Sequence, residues 1–344
     1  MRQIICIVLF LIAAGSAPGR AAPDFAKLNL ALADGVVIPA YRAFAARAQT
    51  LSEATTAWCA APSADRQAAT RAAFREAMLA WQRARPVIFG PVAANSRALR
   101  IQFWPDRRGT GERHLRRALA AADPALVAPG GLAGQSVALQ GLGTFEQLFH
   151  DHAGNAYACS LAAAIARFQQ DIARQIVAEW TAPDGFRKSL VPPAGGNASY
   201  ASAKEAATDF LKSLSTTLDI VIDQKLEAPL GAIFAEAAPR RAESWRSGLS
   251  LDNIAANLEV LADWFAVPGG FRDQLGRAGA EALGIGMEKA FRATALQARA
   301  ISIPLAQAVA DPAHRPQVKA LLEEVRNLRL LVREAVSSEL GLSV

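Results

Sequence analysis

From Tyr157 to Trp180 the chain carries Leu161, Ile165, Phe168, Ile172 and Ile176 at intervals of three and four residues. That period gathers them on one stripe of an α-helix, whereas a strand would scatter them over both its faces. The pattern recurs in Tyr41, Phe44, Ala48 and Leu51, and again in Phe74, Ala77, Met78 and Trp81. Long apolar stripes need other helices to cover them, so the expected fold is all-α. With 52% hydrophobic residues the chain can bury a sizeable core, and its many alanines favour close helix packing over strands.

Breakers set the organisation. A helix over Ile38 to Ala60, starting after or across Pro39, is joined by Ala60-Ala61-Pro62 to a second that Ser63 caps, Asp65 supports in its first turn and Pro86 ends. The two are read as an antiparallel pair. Pro86, Gly90, Pro91 and Pro105 then hold residues 86 to 111 irregular, and long irregular connections of this kind are often functional. Helices follow over Gly111 to Ala121, Gly141 to Phe149 and Tyr157 to Trp180. Pro183-Asp184-Gly185 and the loop Pro192 to Asn197 punctuate the chain most strongly, and the boundary between two units is placed there. The second unit reads as helical over Ser199 to Leu226, Glu243 to Ser247, Leu251 to Phe265, Arg272 to Ala300 and Gln317 to Leu340, with glycines 276, 279, 284 and 286 segmenting the penultimate stretch. The expected architecture is thus two helical bundles packed together with irregular functional connections: 22–195 and 196–344, behind a signal peptide over 1–21.

The leader is read from Arg2, the apolar run Ile4 to Ala14 and the small residues up to Ala22. The run is shorter than the ~20 residues of a membrane span, and no later stretch is both long and apolar enough to be one. The expected location is therefore the periplasm or cell envelope. Cys6 lies too early in the run to be a lipid-modified cysteine. Losing the leader leaves Cys59 and Cys159, an even pair in an exported chain and so an expected disulfide, with two buried free thiols as the alternative. Lys and Arg exceed Asp and Glu by 6, which falls to 4 without Arg2 and Arg20; the basic residues are dispersed, and no nucleic-acid partner is expected.

Several segments carry a resemblance: Ala80-Trp81-Gln82, Phe89-Gly90-Pro91, Phe103-Trp104-Pro105-Asp106-Arg107-Arg108-Gly109, Gln140-Gly141, and Ser250 to Leu258. Together they make the chain resemble the imelysin family of bacterial cell-envelope proteins along most of its length. The resemblance implies an all-helical chain of two bundles with a site between them and a metal or iron-related role. The family motif is Gly-x-His-x-x-Glu. Here it reads Gly141-Leu142-Gly143-Thr144-Phe145-Glu146, keeping the glutamate and losing the imidazole that would stand one helical turn away, about 5 to 6 Å off, to share an ion. No complete metal motif remains; iron or another divalent metal is the cofactor the resemblance leaves as candidate. The chain also lacks His-Glu-x-x-His, so a metallopeptidase has no local motif behind it.

The remaining chemistry is weighed around Glu146, the first candidate. His150 and His152 are read as solvated, and His114 and His314 as surface residues without partners. Arg97, Arg100, Gln102, Trp104 and Asp106 on the irregular connection, with Arg246, Asp252, Asn253 and Asn257 near the second-half signature, suit a polar ligand or small anion. Each also has a plainer reading. Trp104 is a site wall or a core plug, Asp106 with Arg107 and Arg108 is a local charge network, and Ser250 or Asp252 is a helix cap. The asparagines bridge backbone groups between bundles, and Arg246 stacks on Trp245. The expected function is a non-enzymatic binding protein with a polar site between two bundles, whose partner is a small ligand or an envelope protein; uptake of metal or iron is the rival.

Overall fold

A computed structural model describes residues 21–343. The expected leader, Cys6 included, lies outside the described residues except for Ala21. Among the described residues all regular structure is helical, as the periodicity predicts.

The first rod comprises α1 (Phe25–Leu32) and α2 (Ile38–Ala60), joined without a break by a π-helical turn over Ala33–Val37. The wide turn has a local cause. Pro39 has no N–H to offer the Gly35 carbonyl and its ring would crowd that oxygen, which an extra residue in the preceding turn relieves. Helix α1 is absent from the sequence reading; Asp24 starts it by accepting a hydrogen bond from the Lys27 N–H. Helix α3 (Ala64–Ala84) returns along α2, capped by Ser63 as expected and stopped just short of Pro86. Tyr41, Phe44, Ala48 and Leu51 of α2 meet Phe74, Ala77, Met78 and Trp81 of α3 in the core.

The second wall of α2 is α7 (Ala156–Thr181), named after the three shorter helices α4 (Arg97–Ile101), α5 (Thr110–Ala121) and α6 (Leu142–Asp151) that precede it. Leu161, Ile165, Ile172 and Ile176 are buried as their spacing predicts, and Phe168 is partly buried. The expected disulfide is present: Cys59 at the end of α2 bonds Cys159 in the first turn of α7, with Cα atoms 5.6 Å apart.

The later helices are α8 (Ala203–Asp219), α9 (Ser250–Ala266), α10 (Phe271–Arg277), α11 (Glu281–Ala300) and α12 (Arg315–Leu331). Helix α8 runs on through a second π-helical segment, Ile220–Glu227, which again precedes a proline, Pro229. Helix α9 packs on α11 on one side and on α3 on the other, so the two halves of the chain meet along α3 and α9. Arg75–Asp252 at 2.7 Å and Arg83–Asp263 at 2.5 Å rim that seam; being partly exposed, each contributes at most about 1 kcal/mol. Helix α1 lies on α8, where its buried Asn29 amide donates to the Leu190 and Ala203 carbonyls. A relay of rings links the halves further: Phe89 sits 6.4 Å from Trp180 and 4.9 Å from Phe210, which lies 5.6 Å from Trp264. Such pairs add about 0.5–1.5 kcal/mol each to their area burial.

One expected helix does not form. Residues 243–247 run through turns, because Ser244 (φ 50°) and Gly248 (φ 73°) adopt the left-handed conformation that ends a helix. Among the described residues no helix is long and apolar enough to cross a membrane.

Candidate functional site

Helix α6 begins at Gly141 because only a glycine fits there: a Cβ would stand 2.8 Å from the Ile101 carbonyl oxygen at the end of α4. Gly143 differs. A Cβ at that position meets nothing within 4 Å, so the space where the family motif has an imidazole is open. Gly143 and Glu146 both line one cleft of about 990 Å³, as their spacing on one helix face requires. The near walls are Phe103 to Arg107, α5 and α6; the far wall is the turn from Arg240 to Arg246, with Gln224 and Ala228 below it. Residues from before and after the break at 183–197 therefore face each other across it.

Glu146 is 5% exposed. Its Oε1 accepts hydrogen bonds from the Ser247 N–H at 2.8 Å and the Ser247 hydroxyl at 2.6 Å, while no described residue hydrogen-bonds to Oε2. Burial pushes the carboxyl above its ordinary range, and the two Ser247 hydrogen bonds with the nearby Arg246 offset only part of that. Ser247 has no sequence signal that would have found it.

Arg246, Trp104 and Asp106 line the cleft; Arg97, Asn253 and Asn257 do not. Arg246 donates to Asp151 at 2.7 Å and stacks on Trp245, its guanidinium carbon 4.4 Å from the ring centre, the stacking its neighbour in sequence suggests. Trp104 is a half-buried wall rather than a core plug, with the Arg85 guanidinium 5.8 Å from its ring. Asp106 forms no charge network with Arg107 and Arg108. Its carboxylate accepts the N–H groups of Thr110 and Gly111, at 2.8 and 2.7 Å, and so starts α5. Arg97 is buried against Glu179 and the Pro91 carbonyl, where it fastens the irregular connection to α7. Arg100 similarly serves the Asn95 and Ala133 carbonyls.

Behind the far wall lies a buried polar cluster. Lys225 and Glu243, each 1% exposed, pair at 2.7 Å. Glu243 also accepts from Arg85, Gln102 and Gln82 at 2.9, 2.9 and 3.2 Å, and from Asn253 at 2.9 Å. Lys225 donates to Gln82 at 2.8 Å and to Asn257 at 2.7 Å, and Asn257 donates to the Gln82 carbonyl. Asn257 thus bridges α9 to α3, while Asn253 ties α9 to Glu243 and Ser244 in the turn before it. Neither Ser250 nor Asp252 caps α9: Ser250 donates to the Glu243 carbonyl, and Asp252 pairs with Arg75 and Arg299. Burial lowers the Lys225 amine to about 8 against the pull of Glu243, and it opposes the Glu243 charge too. Lys225 and Arg85 outweigh that and hold Glu243 below the usual carboxylate range. Lys225 was legible: it falls in phase with the buried Leu218, Val221 and Ile222, where a charge has no business unless paired.

His152 lines the cleft, and burial lowers the affinity of half-buried His150 for a proton. His314, expected to be unpartnered, has Nδ1 2.5 Å from Asp311. Among the described residues no three His, Cys, Asp or Glu side chains come together as a metal cage. At the motif Gly143 supplies no donor and one Glu146 oxygen is already engaged, so the residues present do not fit the metal site that the complete motif would make.

The fold and site define a helical protein with a cleft lined by residues from before and after the break at 183–197. The family model described as imelysin, of the M75 peptidase group, matches residues 37–332, and the chain belongs to that family. Among solved structures, an imelysin-like protein from Psychrobacter arcticum 273-4 shares 22% of residues, with a TM-score of 0.80 over 94% of this chain and 99% of that one. A putative iron-regulated protein A precursor from Parabacteroides distasonis ATCC 8503 shares 15%, with a TM-score of 0.74 over 95% of this chain and 97% of that one. Both show the same fold. No curated protein matches the chain.

Proposed function

We propose that the chain is an exported, non-enzymatic binding protein of the periplasm or cell envelope, holding a small polar ligand in the cleft between an N-terminal bundle over 22–195 and a C-terminal bundle over 196–344. The observation that carries this reading is Glu146: a carboxyl kept where burial opposes its charge, one oxygen anchored across the cleft by Ser247, in a motif that has lost its nitrogen donor. A carboxyl held against desolvation in a cleft is a functional-site candidate. Hydrolysis by a metal-bound water has no support in this donor set.

Protein purified without a metal-binding tag tests the reading by elemental analysis. The expected result is no stoichiometric iron or zinc and no peptide cleavage. A second reading, iron or other metal uptake with an envelope partner, draws on the iron-regulated character named for the Parabacteroides protein and on Glu146 with distant ligands. Stoichiometric metal that disappears in Glu146→Ala establishes that rival, and metal-dependent cleavage lost in the same variant establishes a metallopeptidase.

A further inference from the structure

The cleft is lined by five arginines and four carboxylic acids, but the two sets are unevenly paired. Glu112 pairs with Arg116 and Asp151 with Arg246, Asp106 is used on the start of α5, and Glu146 is bound to Ser247. Arg107, Arg240 and Arg241 remain. None of the three makes an ion pair or a side-chain hydrogen bond with another described residue, and all are exposed. They come from two different segments, Arg107 from the connection that carries Trp104 and the other two from the turn that leads into Trp245, over whose ring the Arg240 guanidinium lies at 5.5 Å.

Resting on the binding-protein reading above, we infer that the cleft takes a flat organic polycarboxylate, its acidic groups met by Arg107, Arg240 and Arg241 and its flat body lying against Trp104. A guanidinium offers two parallel N–H groups to a carboxylate, and three of them from two segments lining one cleft match a ligand with more than one acidic group. Aromatic walls prefer a flat body to a puckered one. The volume suits an organic molecule: sites for such ligands span roughly 300–1,000 Å³, far more than a lone inorganic anion fills.

The test is calorimetric titration of metal-free protein with benzene-1,3,5-tricarboxylate, alongside its puckered counterpart cyclohexane-1,3,5-tricarboxylate and sulfate. The expected result is saturable one-to-one binding of the aromatic compound, weaker binding of the puckered one, and a loss of at least about tenfold in Arg240→Ala/Arg241→Ala, or about 1.4 kcal/mol. Both arginines are exposed, and circular dichroism with an intact disulfide verifies that the variant folds. Absence of saturable binding by the wild type, or equal affinity in the double variant, overturns the assignment. Equal affinity for the flat and puckered acids overturns the stacking on tryptophan. Failure here is distinct from failure of the binding-protein reading, which turns on metal content and cleavage.

Discussion

Replacing Lys225 by methionine tests the buried ion pair that joins α9, α3 and the far wall of the cleft. Methionine matches the length of the lysine stem but brings no charge, leaving the Glu243 carboxylate 1% exposed with Arg85 as its one cationic partner. Breaking a buried pair by removing one member typically costs about 3–5 kcal/mol. Arg85, Gln102 and Asn253 still reach Glu243, which argues for the low end. The Asn257 oxygen loses its Lys225 donor, however, and an orphaned buried acceptor adds roughly 1–3 kcal/mol. The expected loss is about 4–6 kcal/mol, or near 8–12 °C at about 2 °C per kcal/mol for a chain of this size. Adding Glu243→Gln removes the stranded charge, so the double variant should recover at least about 2 kcal/mol of that loss. Urea unfolding at pH 7, followed by near- and far-ultraviolet circular dichroism with the disulfide intact, gives all four corners of the cycle. A single variant within about 1 kcal/mol of wild type, or a double variant whose losses merely add, refutes the claim that the charges stabilise each other.

Four further outcomes follow. Because the folded pKa of Glu146 is raised, the native state holds its proton more tightly than the unfolded chain, and stability falls as pH rises from the ordinary carboxylate value through the folded one. Glu146→Gln keeps the oxygen that Ser247 binds and should unfold at or above the wild-type temperature at pH 7, the advantage vanishing in acid; a large loss at pH 7 contradicts this. Cys59→Ala/Cys159→Ala should cost up to about 4–5 kcal/mol from loop-closure entropy, and peptide mapping without reductant should recover the linked pair. Gly141→Ala, pressed against the Ile101 carbonyl, should lose about 1–3 kcal/mol, whereas Gly143→Ala, in open space on the same helix, should gain roughly 0.5–1 kcal/mol in thermal melts. Gly143→His should fold as well as wild type and acquire zinc affinity by calorimetry, since it returns a nitrogen donor one turn from Glu146.

The helices were readable because burial repeats every three to four residues in α2, α3 and α7, and the disulfide because two cysteines remain in the expected mature chain. Helix α1 escaped: its short run before Pro39 is too brief to show a period, and its continuity with α2 and its contacts with α8 and α10 hold it in place. The turn at 243–247 looked helical because its distortion sits at one serine, a residue whose left-handed conformation composition does not announce. Glu146 was singled out from its motif and lines the cleft, and the missing side chain at Gly143 was legible directly. Ser247, a hundred residues later, was not, since nothing local ties a serine to a distant carboxylate. Arg97, Asn253 and Asn257 show the converse: polar residues in suggestive segments that fasten the scaffold instead of lining the cleft.

The stretch from Glu243 to Ser247 has one end sunk in the lysine cluster and the other clasping Glu146. Trp245 and Arg246 between these anchors resemble the fixed jaw of a vice: the ligand proposed above would meet them already set, with little freedom surrendered on that side. On that proposal, selectivity there would be a matter of shape decided at folding, and any adjustment would fall to the unanchored arginines just upstream.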